Sequence, residues 1–375
     1  MSQELQINKE LFLARYWQRK PLLLPQALPD FKAPLDANEL AGLAMEEGIV
    51  SRIIEQVGDE WLLHHGPFGQ ADFQRTTPWT LLVQAVDHYV QAVADLRRLV
   101  DFIPSWRVDD VMVSYASDGG SVGPHYDNYD VFLLQGEGQR LWKLGQFCDS
   151  TSRLARKADL RILENFEQQE EYLLGPGDIL YVPPGFAHWG IAQGECTTFS
   201  IGFRAPRLSE LVSRFTDQLL DQLEPELFYT DAGLETSTRA GEIRPRDLER
   251  VGAQLQAALD QASGNRWFGE LVTEPRYELF PDDEDLAEAQ AALADNPGGV
   301  HLDPSGKLAW QHESEILVVF ANGESREFSD ALLPLQKTLC EMGQLEPDQL
   351  AEAVNLPSGK NWLEYLLEAG CIYVE

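Results

Sequence analysis

The chain is predicted to be α+β, with a double-stranded β-helix (a jelly roll) at its centre, helices after it and a small helix-and-hairpin unit at the carboxy terminus. Three observations carry this. From residue 111 to 207, short apolar segments alternate with Gly, Pro and Asp turn signals, the pattern of a sandwich or barrel. Within that stretch, Gly123-Pro124-His125-Tyr126-Asp127 is answered 63 residues later by Pro183-Pro184-Gly185-Phe186-Ala187-His188. Past Arg207 the apolar spacing becomes helical, as in Leu208, Leu211, Val212 and Phe215.

Eight strands are expected, the number a double-sheet roll needs. Residues 111–115 form the first, and the second follows the Asp118-Gly119-Gly120 turn and carries His125 and Asp127. Residues 131–134 and 140–144 flank Gly136-Glu137-Gly138, and residues 171–174 and 179–182 flank Gly175-Pro176-Gly177-Asp178. Residues 188–192 and 197–203 are the last pair. Before the roll, residues 79–100 have helical apolar spacing, which puts His88 on a helix, while His64 and His65 read as loop residues ahead of Gly66-Pro67.

Beyond it, residues 208–227 and 245–262 read as helices limited by Pro225 and Pro245. The acidic run 281–285 opens a helix through Ala294, since carboxylates suit a helix amino terminus. Asn296-Pro297-Gly298-Gly299 reads as a boundary. Residues 308–310 and 316–320 are expected strands, the second turning at Asn322-Gly323, a hairpin signal. Residues 328–340, 347–354 and 359–369 are expected helices, and 371–374 a closing strand. The expected domains are 1–207, 208–296 and 297–375, the last a winged-helix-like module.

His125 and Asp127 are two apart, so on an extended strand both side chains leave from one face. With His188 they make two imidazoles and one carboxylate, the facial set that holds Fe(II) and leaves positions open. Arg140 opens a strand whose alternation puts it on one face with Trp142 and Leu144, pointing into the roll. A buried guanidinium wants an anion, and it can hold a carboxylate with two parallel hydrogen bonds. The alternative is a turn arginine paired with Glu137. Ser200, twelve residues past His188, is a further candidate near the metal or a strand hydroxyl satisfied by backbone. Asp118 and Tyr126 are candidates for a substrate pocket; Asp118 is equally a turn residue.

Charge and cysteines narrow the function. With 61 acidic and 29 basic residues the formal charge is −32, a field that repels nucleic acid and favours a basic partner. Acidity also serves solubility or a salt-adapted host. The carboxy-terminal module lacks a basic stripe, so direct DNA binding is not expected. The four cysteines form no CxxC pair, which excludes common zinc ribbons and fits reduced thiols in a cytoplasmic protein. No membrane span or leader is expected.

On His125-Tyr126-Asp127, Arg140 and the run from Gly175 to His188, the chain resembles the JmjC/cupin-fold Fe(II)- and 2-oxoglutarate-dependent oxygenases. More narrowly, from residues 12–24 and the whole-chain layout, it resembles the bacterial ribosomal oxygenases that hydroxylate arginine in a large-subunit protein. That resemblance implies Fe(II), 2-oxoglutarate and O2, with Arg140 on the cosubstrate's far carboxylate. It also implies a basic ribosomal substrate hydroxylated at the β-carbon of an arginine, and a homodimer formed through residues 208–296. Two alternatives stay open: the same chemistry on another residue, such as a ribosomal histidine or a methyl-lysine, and a metal-binding cupin that is not an oxygenase.

Overall fold

The computed structural model describes residues 5–58, 60–155, 160–236, 239–261, 264, 266–276, 283–294 and 298–374. They group into two compact units, Met1–Ala205 with Leu302–Gly306, and Pro206–His301 with Lys307–Glu375. In the first unit come α1 (Lys9–Arg15), β1 (Leu22–Leu24), α2 (Ala37–Leu43), β2 (Ser51–Val57), β3 (Glu60–His65), β4 (Trp79–Val83) and α3 (Gln91–Ala94). They are followed by β5 (Val108–Ala116), β6 (Val131–Gln135), β7 (Gln139–Phe147), β8 (Glu170–Leu174), β9 (Ile179–Val182), β10 (Phe186–Gln193) and β11 (Cys196–Phe203). One sheet of eight strands runs β1-β9-β6-β11-β5-β4-β2-β3, and a smaller one runs β10-β7-β8.

The large sheet is covered on both faces, which explains its long apolar runs. All residues of β4, β6, β9 and β11 are buried. Alternation divides them. Phe132, Leu134, Tyr181, Phe199 and Ile201 pack with Phe12, Leu28 and Leu40 of the amino-terminal arm. Val131, Leu133, Leu180 and Val182 face inward, against Trp142, Leu144 and Leu174 of the small sheet. Phe12 meets Tyr181 edge-on with centroids 4.8 Å apart, and burying one such ring contributes about 2–3 kcal/mol.

One buried polar knot ties the arm to the sheet. Asp130 is fully buried; it accepts from the Tyr181 hydroxyl at 2.6 Å and from Gln18 Nε2 at 3.0 Å, with Arg107 Nη2 at 3.6 Å. Burial raises its pKa, against the pull of these three partners. Asp130→Ala is expected to cost about 3 kcal/mol, because the hydroxyl and the guanidinium lose their acceptor in the interior. Urea unfolding measures this; a loss under 1 kcal/mol would show the knot to be incidental.

Three sequence expectations are corrected here. Residues 79–83 are a central strand rather than the start of a helix, because an unbroken apolar run fits a doubly covered strand as well as a buried helix. His88 lies in a short 3-10 turn, Val86–His88, and His64 and His65 end β3. The His125–Asp127 segment is not a ladder strand either. It runs antiparallel beside β10 through isolated bridges, Ser121 to Ile191 and His125 to His188. Pro124 has no N–H to give, and Gly123 sits at φ 81°, so a regular ladder cannot form there.

The second unit holds α4 (Leu208–Gln222), α5 (Pro245–Gln261), α6 (Arg266–Thr273), α7 (Asp283–Ala294) and all but the last residue of β12 (Val300–Leu302). Next come β13 (Leu308–Glu313), β14 (Ile316–Ala321), β15 (Glu324–Ser329), α8 (Leu333–Met342), β16 (Gln344–Leu345), α9 (Pro347–Asn355), α10 (Gly359–Glu368) and β17 (Ile372–Val374). Asn322 and Gly323, at φ 45° and 90°, turn β14 into β15. The hairpin therefore takes residue 328, which had been expected to begin a helix. Trp362 is fully buried and donates its indole N–H to Gln336 at 2.9 Å. Pro281 and Asp282 of the acidic run, and Asn296 and Pro297 of the expected boundary, lie outside the described residues. Among the described residues no two cysteines form a disulfide.

Candidate metal centre

The register brings the two motifs together. His125 and His188 exchange backbone bonds, N to O at 3.1 and 2.8 Å, so their side chains share one face of the small sheet. Asp127 reaches the same place, its peptide oxygen accepting from Gly185 N at 2.8 Å. One ligand atom each from His125, Asp127 and His188 lies within 4.8 Å of the others. Asp127 Oδ2 is 3.9 Å from His125 Nε2 and 3.6 Å from His188 Nε2.

Both imidazoles are set for coordination. His125 Nδ1 lies 3.0 Å from Gly123 O, and His188 Nδ1 lies 3.0 Å from Phe186 O. A carbonyl only accepts, so each Nδ1 carries a proton, and Nε2 is the ring atom that faces Asp127 and is placed to coordinate. His188 is held down to about 4 by burial first and by His125 second, Asp127 opposing. It is thus neutral at physiological pH, as a ligand must be. Two imidazoles and a carboxylate with an open side fit a divalent iron centre.

Arg140 is 3% exposed, on β7 opposite Ala192 and Leu174. Its Nε and Nη2 are buried without a hydrogen-bond partner, and so is Trp142 Nε1 beside it; the guanidinium carbon is 5.7 Å from the Trp142 ring centroid. The reading of a turn arginine paired with Glu137 is therefore overturned. Orphaned donors on the inner wall, two residues per step from His188 along β10, fit an anion such as a dicarboxylate. Thr80 Oγ1, also orphaned, is on the inner wall too, since Thr80 pairs with Ala116, which packs on Ala192. Sequence reasoning missed it, having placed residue 80 on a helix.

Gly190 makes the inner wall close-fitting. A Cβ there would lie 2.8 Å from the Trp142 ring and 3.0 Å from Arg140 Cδ. Gly190→Ala is expected to push both side chains aside and raise the KM for 2-oxoglutarate about tenfold, an estimate of about 1.4 kcal/mol of misplacement. Steady-state kinetics check it; an unchanged KM would mean that the wall yields.

The remaining candidates lie outside the ligand set itself. Ser200 is 7% exposed on the inner face of β11, opposite Leu133 and Met112. Tyr126 points the other way from His125 and Asp127, into a cluster with Cys148, Leu163 and Ala187. Its hydroxyl donates to Asp149 O at 2.8 Å. Asp118 is exposed at the far end of the segment beside β10, where Oδ1 accepts from Gly194 N at 2.8 Å.

Comparison with known proteins agrees with this geometry. The JmjC domain family matches residues 95–211, the ROXA-like winged helix residues 254–373, and the AraC-like ligand binding domain residues 166–278. The chain is similar to the Escherichia coli "Ribosomal protein uL16 3-hydroxylase", 33% identical over 385 residues and 100% of both chains. It is 34% identical to a "Probable ribosomal oxygenase" of Haemophilus influenzae, over 85% of this chain and 82% of that one. The solved structure of the E. coli ribosomal oxygenase YcfD, in complex with cobalt and 2-oxoglutarate, superposes with a TM-score of 0.84 at 33% identity, covering 100% of this chain and 99% of that one.

Proposed function

Because the chain belongs to the JmjC-domain ribosomal oxygenases, we propose that it is an Fe(II)- and 2-oxoglutarate-dependent hydroxylase of a large-subunit ribosomal protein, acting on the β-carbon of an arginine. The observation that carries this is the convergence of His125, Asp127 and His188 on one wall with the orphaned Arg140 guanidinium deeper along it. In this reading the triad holds the iron and Arg140 holds the far carboxylate of 2-oxoglutarate. With oxygen, that pair supplies the oxidation of a C–H bond to C–OH, coupled to decarboxylation of the cosubstrate to succinate.

The protein's own work is placement and exclusion. Gly123 O and Phe186 O orient the imidazoles. Leu133, Leu144, Leu180 and Val182 line a dry interior, which keeps water from competing for the oxidant. The target carbon must be held still beside the metal. For the substrate guanidinium we assign Asp118, whose carboxylate is anchored by one oxygen only; the buried, occupied hydroxyl of Tyr126 leaves that residue a supporting part at most.

The acidic chain, formally −32, favours encounter with a Lys/Arg-rich protein in the cytoplasm. Among the described residues no helix is long and apolar enough to cross a membrane. The helices of the second unit support self-association. No residue of α4 is buried, and Leu208, Val212, Leu220, Leu248 and Leu255 are between 59% and 76% exposed, more apolar surface than a lone helix pair keeps in water. The winged-helix-like module, acidic throughout, is assigned to protein contact rather than DNA.

The test is anaerobic loading with Fe(II) and 2-oxoglutarate, then oxygen and a panel of large-subunit ribosomal proteins, read by mass spectrometry. A gain of one oxygen on an arginine, mapped by fragmentation, is the expected result. The same gain on a histidine, or loss of a methyl group from lysine, would move the target. Bound iron with neither product nor succinate would overturn the hydroxylase.

A further inference from the structure

We propose that Ser121 is a positioning residue for the metal centre, acting through Gly123 on His125. The inference rests on the metal-centre reading above. The two histidine ligands are supported differently. His188 stands on β10, whose partners β7 and the 119–125 segment hold it by backbone pairing on both sides. His125 stands on that irregular segment, after Pro124 and after Gly123 at φ 81°. It is joined to β10 by interrupted backbone pairs rather than a continuous ladder, and on its other side by one bond, Leu163 N to Pro124 O at 2.8 Å.

A side chain supplies what the ladder does not. Ser121 is 3% exposed, and its hydroxyl uses its whole capacity, one donor and two lone pairs. It donates to Gly190 O at 2.7 Å, and accepts from Gly123 N at 3.1 Å and from Trp189 Nε1 at 2.9 Å. The three partners come from both sides of the seam between the segment and β10. Gly123 then receives His125 Nδ1 on its carbonyl, at 3.0 Å. The hydroxyl thus fixes the residue that fixes the tautomer and tilt of the ring. Trp189 is itself held, its ring meeting Phe166 edge-on at 5.9 Å and lying 5.2 Å from Lys143 Nζ.

The test uses the full-length protein without iron and Co(II) as the probe. Binding is followed by chelator competition, and the exchangeable Nδ1 protons of the two ligand imidazoles by NMR of the cobalt form. Ser121→Ala is expected to weaken Co(II) binding by about 10–100-fold, the usual effect of removing an outer support. It should speed solvent exchange of the His125 Nδ1 proton and leave that of His188 slow. Trp189→Phe, which removes one donor and keeps a ring, should weaken binding by less, and serves alone if Ser121→Ala does not fold. Unchanged affinity in Ser121→Ala, or in Trp189→Phe where only that variant folds, overturns the proposal, as does equal loss of protection at both histidines. Failure of the unaltered protein to bind Co(II) at all would instead overturn the metal-centre reading.

Discussion

Asp127→Ala is expected to lower hydroxylation by about 1,000-fold or more, several kcal/mol of lost metal-dependent stabilisation, while leaving the fold intact. Asp127 Oδ2 is the only carboxylate oxygen among the described residues that joins the two imidazoles in a ligand set, within 4 Å of both Nε2 atoms. Without it, two imidazoles remain, which leaves the facial set one ligand short and without the carboxylate's negative charge. The side chain is 23% exposed and packs no core, so its removal should hardly move the unfolding midpoint. Succinate release and Co(II) titration check both halves. Cobalt affinity within tenfold of the parent would remove Asp127 from the ligand set.

Arg140→Met should separate stability from function in opposite directions. Nε and Nη2 of Arg140 are buried with no hydrogen-bond partner within the chain, and a buried cation without a counter-charge costs free energy that an apolar side chain of similar volume does not. The variant is therefore expected to be about 1–3 kcal/mol more stable than the parent in the absence of ligand. It should also lose the thermal stabilisation that 2-oxoglutarate gives the parent, with KM raised at least ~100-fold, the value of about 3 kcal/mol for a charge-assisted pair. Differential scanning fluorimetry with and without 2-oxoglutarate reads both. A variant that is destabilised without ligand would mean that Arg140 already has its counter-charge.

The triad was legible because its signal is local. His125 and Asp127 are two residues apart, and Pro183-Pro184-Gly185 announces a strand start before His188. The inward face of Arg140 was legible from alternation with Trp142 and Leu144, but preferring it over a turn arginine leaned on the triad. What was hidden depends on covering. Nothing in Trp79-Thr80-Leu81-Leu82-Val83 says that both faces of that strand are roofed, so its run looked helical and Thr80 was lost with it. Tyr126 was drawn to the site by sequence proximity, although alternation next to His125 and Asp127 sends it to the opposite face. Ser121 carried no signal at all: its hydroxyl matters only because the segment before His125 lies against β10, a pairing between residues about 70 positions apart.

The order of strands also dictates a schedule. β5 and β6 follow one another in the chain, yet β11 lies between them in the sheet, and β1 pairs with β9, more than 150 residues later. The amino-terminal two hundred residues therefore hold an open seam until the last strand arrives, and most of their contacts reward closure of long loops. Such a topology folds slowly and late. A chain growing from its amino terminus has made His125 and Asp127 long before their third companion exists, and the ligand set is complete only once β10 has been made, just ahead of the strand that closes the seam.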